Sequence, residues 1–472
     1  MNKHLTILMS LLLLGTLGCR QATIEAGEPE TPERLPTALA EGITVEPFMQ
    51  IGRGGIRLCL DPISGDFFYN NMRGDIYRIY RQADSLYDEK LYDVKDHGIE
   101  SLQGMYFLDS SLYLVGNKFY QDNKATKGIV MRGQLAQEGK YKWDTLAITE
   151  AYGKPKTLYS HEFNGIALSP DQQFIYINSG ARTDHGEVQD NDGLFPGLRE
   201  SNLTACILRL PVNGKNVLLR DDSTFLAEEG YLFAAGIRNA YDLDFSPKGH
   251  LFAVSNSSDY DHPEDMFWVR EGHHYGFPWR MGNMDNPQQY ADWEADPEKD
   301  PFINTRTHAY THRYFRNDPD FPKKPATLNI TPPVLNYGPD ANFYRERETG
   351  EVKDGDDTGE AVGTFTAHRS PLGLFFDQDS LLAPPYTGEG FVLSYTFGEY
   401  SSLMRPISTL GGDLMHLKLQ YDPETDNYTV NCYRIVEGFR GPTDALMIEN
   451  DVYVIETSGM IWKIRLPVHL QT

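Results

Sequence analysis

Short apolar runs alternate with polar turns along most of the chain, and the segment from Ala234 to Pro278 shows this pattern most clearly. Apolar side chains occupy every second position at Tyr241, Leu243 and Phe245, which is the period of a half-buried β-strand. The residues Ser-Pro-Lys-Gly at 246–249 have the composition of a tight turn, and a second apolar run follows them. The pattern predicts a small antiparallel sheet with polar loops at its ends.

The same strand–turn–strand pattern recurs six times, and each copy leads into a third apolar strand. The copies begin near Arg57, Met105, Ile166, Leu243, Leu374 and Leu446. In the fifth copy the second strand is expected at 381–385. Six copies of an antiparallel unit predict an all-β protein, a six-bladed β-propeller of four-stranded antiparallel blades. A strand near Ile43 is expected to complete the last blade and so to close the ring.

The N-terminal segment predicts an exported lipoprotein. An apolar run at 5–17 follows Lys3 and His4 and is too short to span a bilayer as a stable helix. Thr16-Leu-Gly-Cys19 resembles a bacterial lipobox, so residues 1–18 are predicted to be a signal peptide and Cys19 to carry the lipid. The expected location is the cell envelope, on the periplasmic or outer-surface side of a bacterial membrane, with the N-terminal lipid as the sole membrane contact.

The remaining chain divides into two parts. Residues 19–42 are rich in Glu, Pro, Thr and Ala and predict a flexible tether. Residues 43–472 are predicted to form the propeller, with a long loop insertion near 280–366 that is polar, charged and rich in turn residues.

Composition narrows the choice of partner. The formal net charge of −24 argues against nucleic acid, because phosphates require a basic surface. The same charge is compatible with bound divalent cations, although a solvated acidic surface is the more common cause of such a charge. Cys59, Cys206 and Cys432 lie in apolar runs with no CxxC spacing, so they are expected to be buried thiols rather than disulfides or zinc ligands.

Several motifs together resemble a known family. They are His161-Glu-Phe-Asn-Gly, Gly236-Ile-Arg-Asn, Tyr275-Gly-Phe-Pro, His368-Arg-Ser-Pro-Leu-Gly and Gly438-Phe-Arg. They occur in the same order as in the glucose/sorbosone dehydrogenase propellers, and the resemblance runs from about residue 46 to 467. It implies an oxidoreductase that uses pyrroloquinoline quinone and calcium to oxidise a sugar and passes the electrons to an external acceptor.

The resemblance also implies roles for individual residues. His161 matches the catalytic base that removes the sugar hydroxyl proton, a task suited to a side chain that titrates near neutrality. Arg238 and Asn239 match residues that contact the quinone, and the arginine fork suits its carboxylates. Arg440 is a further expected contact to the quinone. Glu264 and Asp265 match acidic calcium ligands, since calcium prefers oxygen ligands.

The chain departs from the family pattern at three places. Ala181 stands where an aspartate orients the catalytic histidine, although Asp184 or Asp171 could take that role. No lysine follows the strand of the fifth blade at 394–398, and Thr443 stands where the family has a second arginine. Each lost contact to an anionic cofactor could cost about 1.5–3 kcal/mol.

These departures leave two alternatives open. The first is a binding protein that holds a carbohydrate or a partner through an eroded cofactor site. Under this interpretation His161 is a structural residue, and Arg238 and Asn239 brace the blades through neighbouring carbonyls. The second is a calcium-dependent lactonase or other hydrolase, because a propeller fold does not determine a reaction.

Overall fold

The computed structural model describes residues 35–136, 139–395, 407 and 411–469. The predicted signal peptide and Cys19 lie outside the described residues. The described chain is all-β, and its sheets form the six blades of a propeller, so the predicted fold is confirmed. The blade strands follow the chain in order, apart from one N-terminal strand that joins the last blade.

Blades 1 to 3 each contain four antiparallel strands, which follow one another from the inner strand outward. Blade 1 comprises Gly55–Leu60, Phe67–Asn71, Ile76–Gln82 and Ser85–Tyr92. Blade 2 comprises Ser101–Leu108, Ser111–Tyr120, Ala125–Leu135 and Tyr141–Thr149, with Tyr152–Gly153 and Val217–Leu219 added at its edge. Blade 3 comprises Phe163–Leu168, Phe174–Ser179, Cys206–Pro211 and Leu232–Ala235.

Blades 4 to 6 show more variation. Blade 4 has three strands among the described residues, Ala240–Phe245, Leu251–Ser255 and Asp265–Trp268. Blade 5 comprises Pro371–Phe376, Gly390–Ser394, Asp413–Asp422 and Asn427–Glu437, with Thr37–Ala38 and Leu335–Pro339 paired to the last of these. Blade 6 comprises Pro442–Ile448, Asp451–Glu456, Met460–Arg465 and Thr44–Gln50.

The N-terminal strand closes the ring, as predicted. Thr44–Gln50 runs antiparallel to Met460–Arg465, with Val45 opposite Ile464. The first and last strands of the propeller therefore share one blade, and separating the blades at this point would break both a hydrogen-bonded ladder and the core of blade 6. Thr37–Ala38, inside the segment predicted as a tether, pairs with Glu437 and Val436 of blade 5.

The prediction for the fifth copy was wrong by one strand. Gly390–Ser394, expected as the third strand, is the second strand of blade 5, and 381–385 lies in the loop before it. Leu382 forms an isolated bridge with Val468, but Pro384 and Pro385 have no N–H to donate and so limit any longer ladder here. The Asp377 carboxylate instead accepts the backbone N–H groups of Leu381, Leu382 and Gly388, which stabilises the loop.

Apolar side chains fill the spaces between neighbouring blades, and the three described cysteines lie among them as buried free thiols, as expected. The insertion near 280–366 is ordered and has its own small core, in which Phe302, Ala309 and Phe315 pack on Tyr260 of blade 4. No described helix is long and apolar enough to cross a membrane.

The remaining elements are short. Two strand pairs lie in the insertion, Arg280–Met281 with Met284–Asp285 and Tyr344–Arg345 with Val352–Lys353. The helices are Val94–His97, Ser223–Glu228, His308–Thr311 and Gly355–Thr358, with a 3₁₀ turn at Pro287–Gln289.

One buried arginine connects the inner strands across the axis. Arg57 of blade 1 is 5% exposed and lies 3.3 Å from Asp242 of blade 4 and 3.4 Å from Asp444 of blade 6. Its Nε donates to the Gln103 carbonyl of blade 2 at 2.8 Å. Asp242 also accepts the Leu374 amide of blade 5 at 2.8 Å, so this group of side chains links five blades. We call Arg57, Asp242 and Asp444 the axial clamp.

Replacing Arg57 by methionine should destabilise the propeller by about 3–5 kcal/mol, because Asp242 and Asp444 would remain buried without a nearby cation. Chemical denaturation measures the change. The matched control is Arg78→Met, since Arg78 is 36% exposed and pairs with Glu89 on the surface at 2.8 Å, where a salt bridge contributes at most about 1 kcal/mol. Equal losses in the two variants would contradict a clamping role for Arg57.

Candidate active site

His161 and Arg238 lie side by side at the face of the ring where the inner strands begin, which we call the entrance face. His161 is two residues before the inner strand of blade 3, and Arg238 is two residues before that of blade 4. The His161 amide donates to the Ala181 carbonyl at 3.0 Å, and the Ala181 amide donates to the Arg238 carbonyl at 2.7 Å. Ala181, where an aspartate was expected, therefore joins the two residues through its backbone alone.

The surroundings of the His161 side chain favour its neutral form. The residue is half-buried, yet its Nε2 atom is buried and has no hydrogen-bond partner among the described residues. Burial, together with the positive charge of Arg238, lowers the pKa of His161 well below its usual value. A neutral imidazole with an unpartnered nitrogen can accept a proton, which is the requirement for a general base.

A row of buried asparagine side chains supports the backbone beside His161. The Asn164 amide nitrogen donates to the Asn239 side-chain oxygen at 2.8 Å, and the Asn178 amide nitrogen donates to the Asn164 side-chain oxygen at 2.7 Å. Asn239 is 6% exposed, so this predicted quinone contact has its side-chain oxygen directed to Asn164. The arrangement is typical of a rigid support, because its bonds join the inner strand of blade 3 both to the second strand of that blade and to the residue before the inner strand of blade 4.

Gly180 leaves the space that brings His161 and Asn239 together. A Cβ atom built on Gly180 would overlap the His161 Cβ and lie 3.3 Å from the Asn239 Oδ1. Any larger residue at this position would have to displace one of the two side chains.

Arg238 is committed to contacts within the protein. Its Nε donates to the Asp184 carbonyl at 2.7 Å, Nη2 to the Asp184 carboxylate at 3.0 Å, and Nη1 to the Asn256 carbonyl at 3.1 Å. The residue is 5% exposed, and its guanidinium also lies 5.8 Å from the centre of the Tyr159 ring. This geometry is that of an arginine that braces the loops of blades 3 and 4.

Asp184 organises the charged network behind Arg238. Its carboxylate also accepts the Asp259 amide at 3.0 Å and lies 2.7 Å from the Nδ1 of His185. Burial and the nearby charge of Asp259 raise the pKa of Asp184. Burial alone would lower the pKa of His185, but Glu187 and Asp184 outweigh it and raise that pKa above its usual value.

Neither aspartate considered as a substitute at position 181 contacts His161 among the described residues. Asp184 is directed to Arg238 and His185, and Asp171 lies in the Ser169–Gln173 turn at the opposite face of blade 3. His161 therefore has no carboxylate to orient it within the described chain. The adjacent Asp184-His185 pair was missed as a site by sequence reasoning, and its only local signal is a charged dipeptide in a polar loop.

Glu264 and Asp265, the predicted calcium ligands, are directed to different partners. Glu264 accepts the Ser370 amide of blade 5, whereas Asp265 accepts the Gly282 amide at 2.7 Å. Burial raises the pKa of Glu264 to about 7 and that of Asp265 to about 8, which favours the protonated forms. Among the residues that the structure describes, no group of three or more His, Cys, Asp or Glu side chains could hold a metal ion.

The His368 motif forms a second buried network on this face. His368 Nε2 lies 2.7 Å from one oxygen of Asp261, and Arg345 of the insertion donates to the other oxygen at 2.7 and 2.8 Å. Burial alone would raise the pKa of Asp261, but His368 and Arg345 outweigh it and lower that pKa. Asp261 thereby ties blade 4 to blade 5 and to the insertion.

Arg440 and Thr443 lie where the chain enters blade 6. Arg440 is exposed, and its backbone amide, rather than its side chain, donates to Glu456. No ion pair of the Arg440 side chain is found within the described chain. The Thr443 hydroxyl donates to the Gly55 carbonyl at 3.3 Å and so joins blades 6 and 1. Arg440 is therefore the predicted quinone contact whose side chain remains available at the surface.

The chain is similar to known proteins in structure but not detectably in sequence. No family model matches the chain, and no curated protein matches it. A solved glucose dehydrogenase is 11% identical, with a TM-score of 0.54 over 90% of this chain and 99% of that one. The apo form of the soluble aldose sugar dehydrogenase of Escherichia coli is 15% identical, with a TM-score of 0.53 over 90% and 99%. The holo form of the pyranose dehydrogenase PQQ domain of Coprinopsis cinerea is 12% identical, with a TM-score of 0.52 over 92% and 98%.

These likenesses extend over most of the chain. At such identities the likeness shows the fold, and it confirms at that level the resemblance that the motifs indicated. The chain has the fold of the solved soluble sugar dehydrogenases.

Gly180→Ala should destabilise the protein by about 1–3 kcal/mol, because the added methyl group overlaps His161 and crowds Asn239. The control is Gly52→Ala, where nothing lies within 4 Å of the added Cβ, and its effect should stay within about 0.5 kcal/mol. Chemical denaturation measures both changes, and the NMR signals of the His161 ring should move only in Gly180→Ala. Unmoved His161 signals in that variant would contradict the close packing of this site.

Proposed function

We propose that the protein is a sugar oxidoreductase in which His161 is the catalytic base. The observation that carries this proposal is the buried, unpartnered Nε2 atom of a neutral His161 beside the positive charge of Arg238. The shared fold supports it, since the neighbours include solved glucose and aldose sugar dehydrogenases.

In this proposal His161 accepts the proton of the sugar hydroxyl that is oxidised. Pyrroloquinoline quinone, when bound, would supply the acceptor for the hydride that leaves the same carbon. Arg238 stays in place through its three internal bonds, and its charge keeps His161 unprotonated before the sugar binds. Arg440, whose side chain is exposed, and Asn239 would hold the quinone together with Arg238.

The described residues fit a catalytic base at His161 better than they fit a bound quinone or a calcium ion. For the quinone, the entrance face offers the exposed Arg440 and also Arg238, most of whose donors already bind protein acceptors. For calcium, Glu264 and Asp265 bind different backbone amides and do not converge, so this pair does not fit a calcium site. We therefore assign no step to calcium.

A second candidate function is a binding protein that holds a carbohydrate at the entrance face without oxidising it. The observation that favours it is the commitment of Nε, Nη1 and Nη2 of Arg238 to protein acceptors, which leaves less of the guanidinium for an anionic cofactor. No arrangement among the described side chains favours the hydrolase, which would need several oxygen ligands converging on one metal.

The cell-envelope location is also part of the proposal. Cleavage before Cys19 and lipidation of that residue would anchor the protein through its N-terminus. An anchored sugar oxidoreductase outside the cytoplasm would pass its electrons to an external acceptor at or near the membrane.

Turnover should depend on His161. With saturating quinone and an aldose panel, His161→Gln should reduce the rate of dye reduction about 10²–10⁴-fold, the usual contribution of a positioned base. His312→Gln, a change at an exposed histidine of the insertion, should leave the rate unchanged. A wild-type protein that shows neither turnover nor thermal stabilisation by the quinone would contradict the oxidoreductase and favour the binding protein.

The lipid anchor is tested by Cys19→Ala. This variant should lose the lipid mass on the N-terminal peptide and move from the membrane fraction to the soluble fraction, because no other membrane contact is expected. Mass spectrometry and fractionation measure the two changes. A wild-type N-terminal peptide without added lipid mass would show that the lipobox interpretation is wrong.

A further inference from the structure

A second cavity lies on the side of the axial clamp away from His161. It has a volume of about 480 Å³ and is lined by the inner strands of all six blades and by the turns that follow them. Its mouth opens at the face opposite the entrance face, between the exposed residues Gln172 and Gln378. The size is within the range of small-molecule sites, which is about 300–1,000 Å³.

The axial clamp lies toward the entrance-face end of this cavity. Arg57, Asp242 and Asp444 occupy the third position of their inner strands, and all three line the cavity. Asp244 lies two residues further along the strand from Asp242 and so points from the same strand face, toward the open end. The cavity is therefore separate from the His161 site and reached from the other face.

The wall combines apolar side chains with more carboxyl groups than cationic groups. Met105, Leu168 and Leu446 contribute apolar surface. Three carboxylates, Asp242, Asp244 and Asp444, face a single guanidinium, that of Arg57, which pairs with Asp242 and Asp444.

Asp244 has no cation of its own. In the part of the chain that the structure describes it forms no ion pair, and its carboxylate accepts the Phe245 amide at 2.8 Å. Burial raises the pKa of Asp244 to about 8, and burial raises that of Asp242 to about 7 although Arg57 opposes the shift. These values favour the protonated forms near neutral pH, and Asp244 has no ion-pair partner among the described residues to stabilise its ionised form.

Tyr106 adds an aromatic group next to Asp244. Tyr106, Asp244 and Cys59, from blades 2, 4 and 1, all line the cavity. Burial, followed by the charges of Asp244 and Cys59, raises the pKa of Tyr106 to about 12. A phenol ring beside a carboxylate offers a cation both charge pairing and contact with a π-face.

From this cavity we propose that the ring binds a small organic cation at the face opposite His161, with an ammonium group on Asp244 and an apolar body against Met105, Leu168 and Leu446. The ammonium group stabilises the ionised form of Asp244, and the apolar part of the ligand fills the space between the inner strands. This site is independent of the proposed oxidoreductase, because the axial clamp lies between the two.

Benzylammonium is a suitable probe, and benzyl alcohol is its neutral match in shape. Isothermal titration calorimetry on the wild-type protein should detect the binding of benzylammonium. The affinity for benzyl alcohol should be at least tenfold lower. The affinity for benzylammonium should fall as the pH is lowered through the pKa of Asp244, since the ammonium pairs with the ionised carboxylate.

Two variants locate the site by different means. Asp244→Asn removes the carboxylate charge, and Leu168→Trp fills the cavity without changing any charge. Each substitution should lower the affinity for benzylammonium at least tenfold. Asp379→Asn, at an exposed residue on the same face, is the matched control and should bind as the wild type does. Circular dichroism checks that each variant is folded.

Three results would overturn the proposal. The first is no binding of benzylammonium to the wild type at about 10 mM. The second is equal affinity for benzyl alcohol. The third is retained affinity in folded Asp244→Asn or Leu168→Trp. None of these outcomes bears on turnover at His161, so the two sites are tested separately.

Discussion

A single buried guanidinium group holds the ring at its axis. Arg57 is placed between Asp242 and Asp444, and through them and the Gln103 carbonyl it connects inner strands that are far apart in sequence. Such a connection adds to the contacts between neighbouring blades, which are the main contacts that a radial repeat provides. The axial clamp also lies between the entrance face and the 480 Å³ cavity, so these are two separate environments.

On the entrance face, burial of the polar side chains also affects the protonation state of His161. Arg238 is fixed by Asp184 and Asn256, and its charge together with burial keeps the imidazole neutral. Arg238 therefore both braces the loops of blades 3 and 4 and influences the protonation state of His161. The guanidinium that ties blade 3 to blade 4 is also the charge that disfavours the protonated form of His161 and so keeps its ring neutral.

Much of the fold could be predicted because strand period and turn composition are local signals. The six repeats and the closing strand at Thr44–Gln50 follow from them, whereas Pro384 and Pro385 caused the one misplaced strand. In the site, the repeat placed His161 and Arg238 in equivalent loops, and the structure brings these loops together. The partner of Arg238 could not be predicted, because Asp184 meets it only through a long loop of blade 3. Strand alternation, in contrast, already separates the consecutive side chains of Glu264 and Asp265.

The chemistry proposed for the entrance face depends on a His161 that the fold holds neutral with a free ring nitrogen. An NMR titration of protein labelled with ¹³C and ¹⁵N in histidine tests this state, with the His161 signals assigned from His161→Gln. The His161 ring should stay neutral as the pH is lowered through about 6.5, the usual histidine pKa, and should protonate only well below it. A His161 ring that titrates at or above that value would contradict the neutral state that burial and Arg238 are inferred to impose.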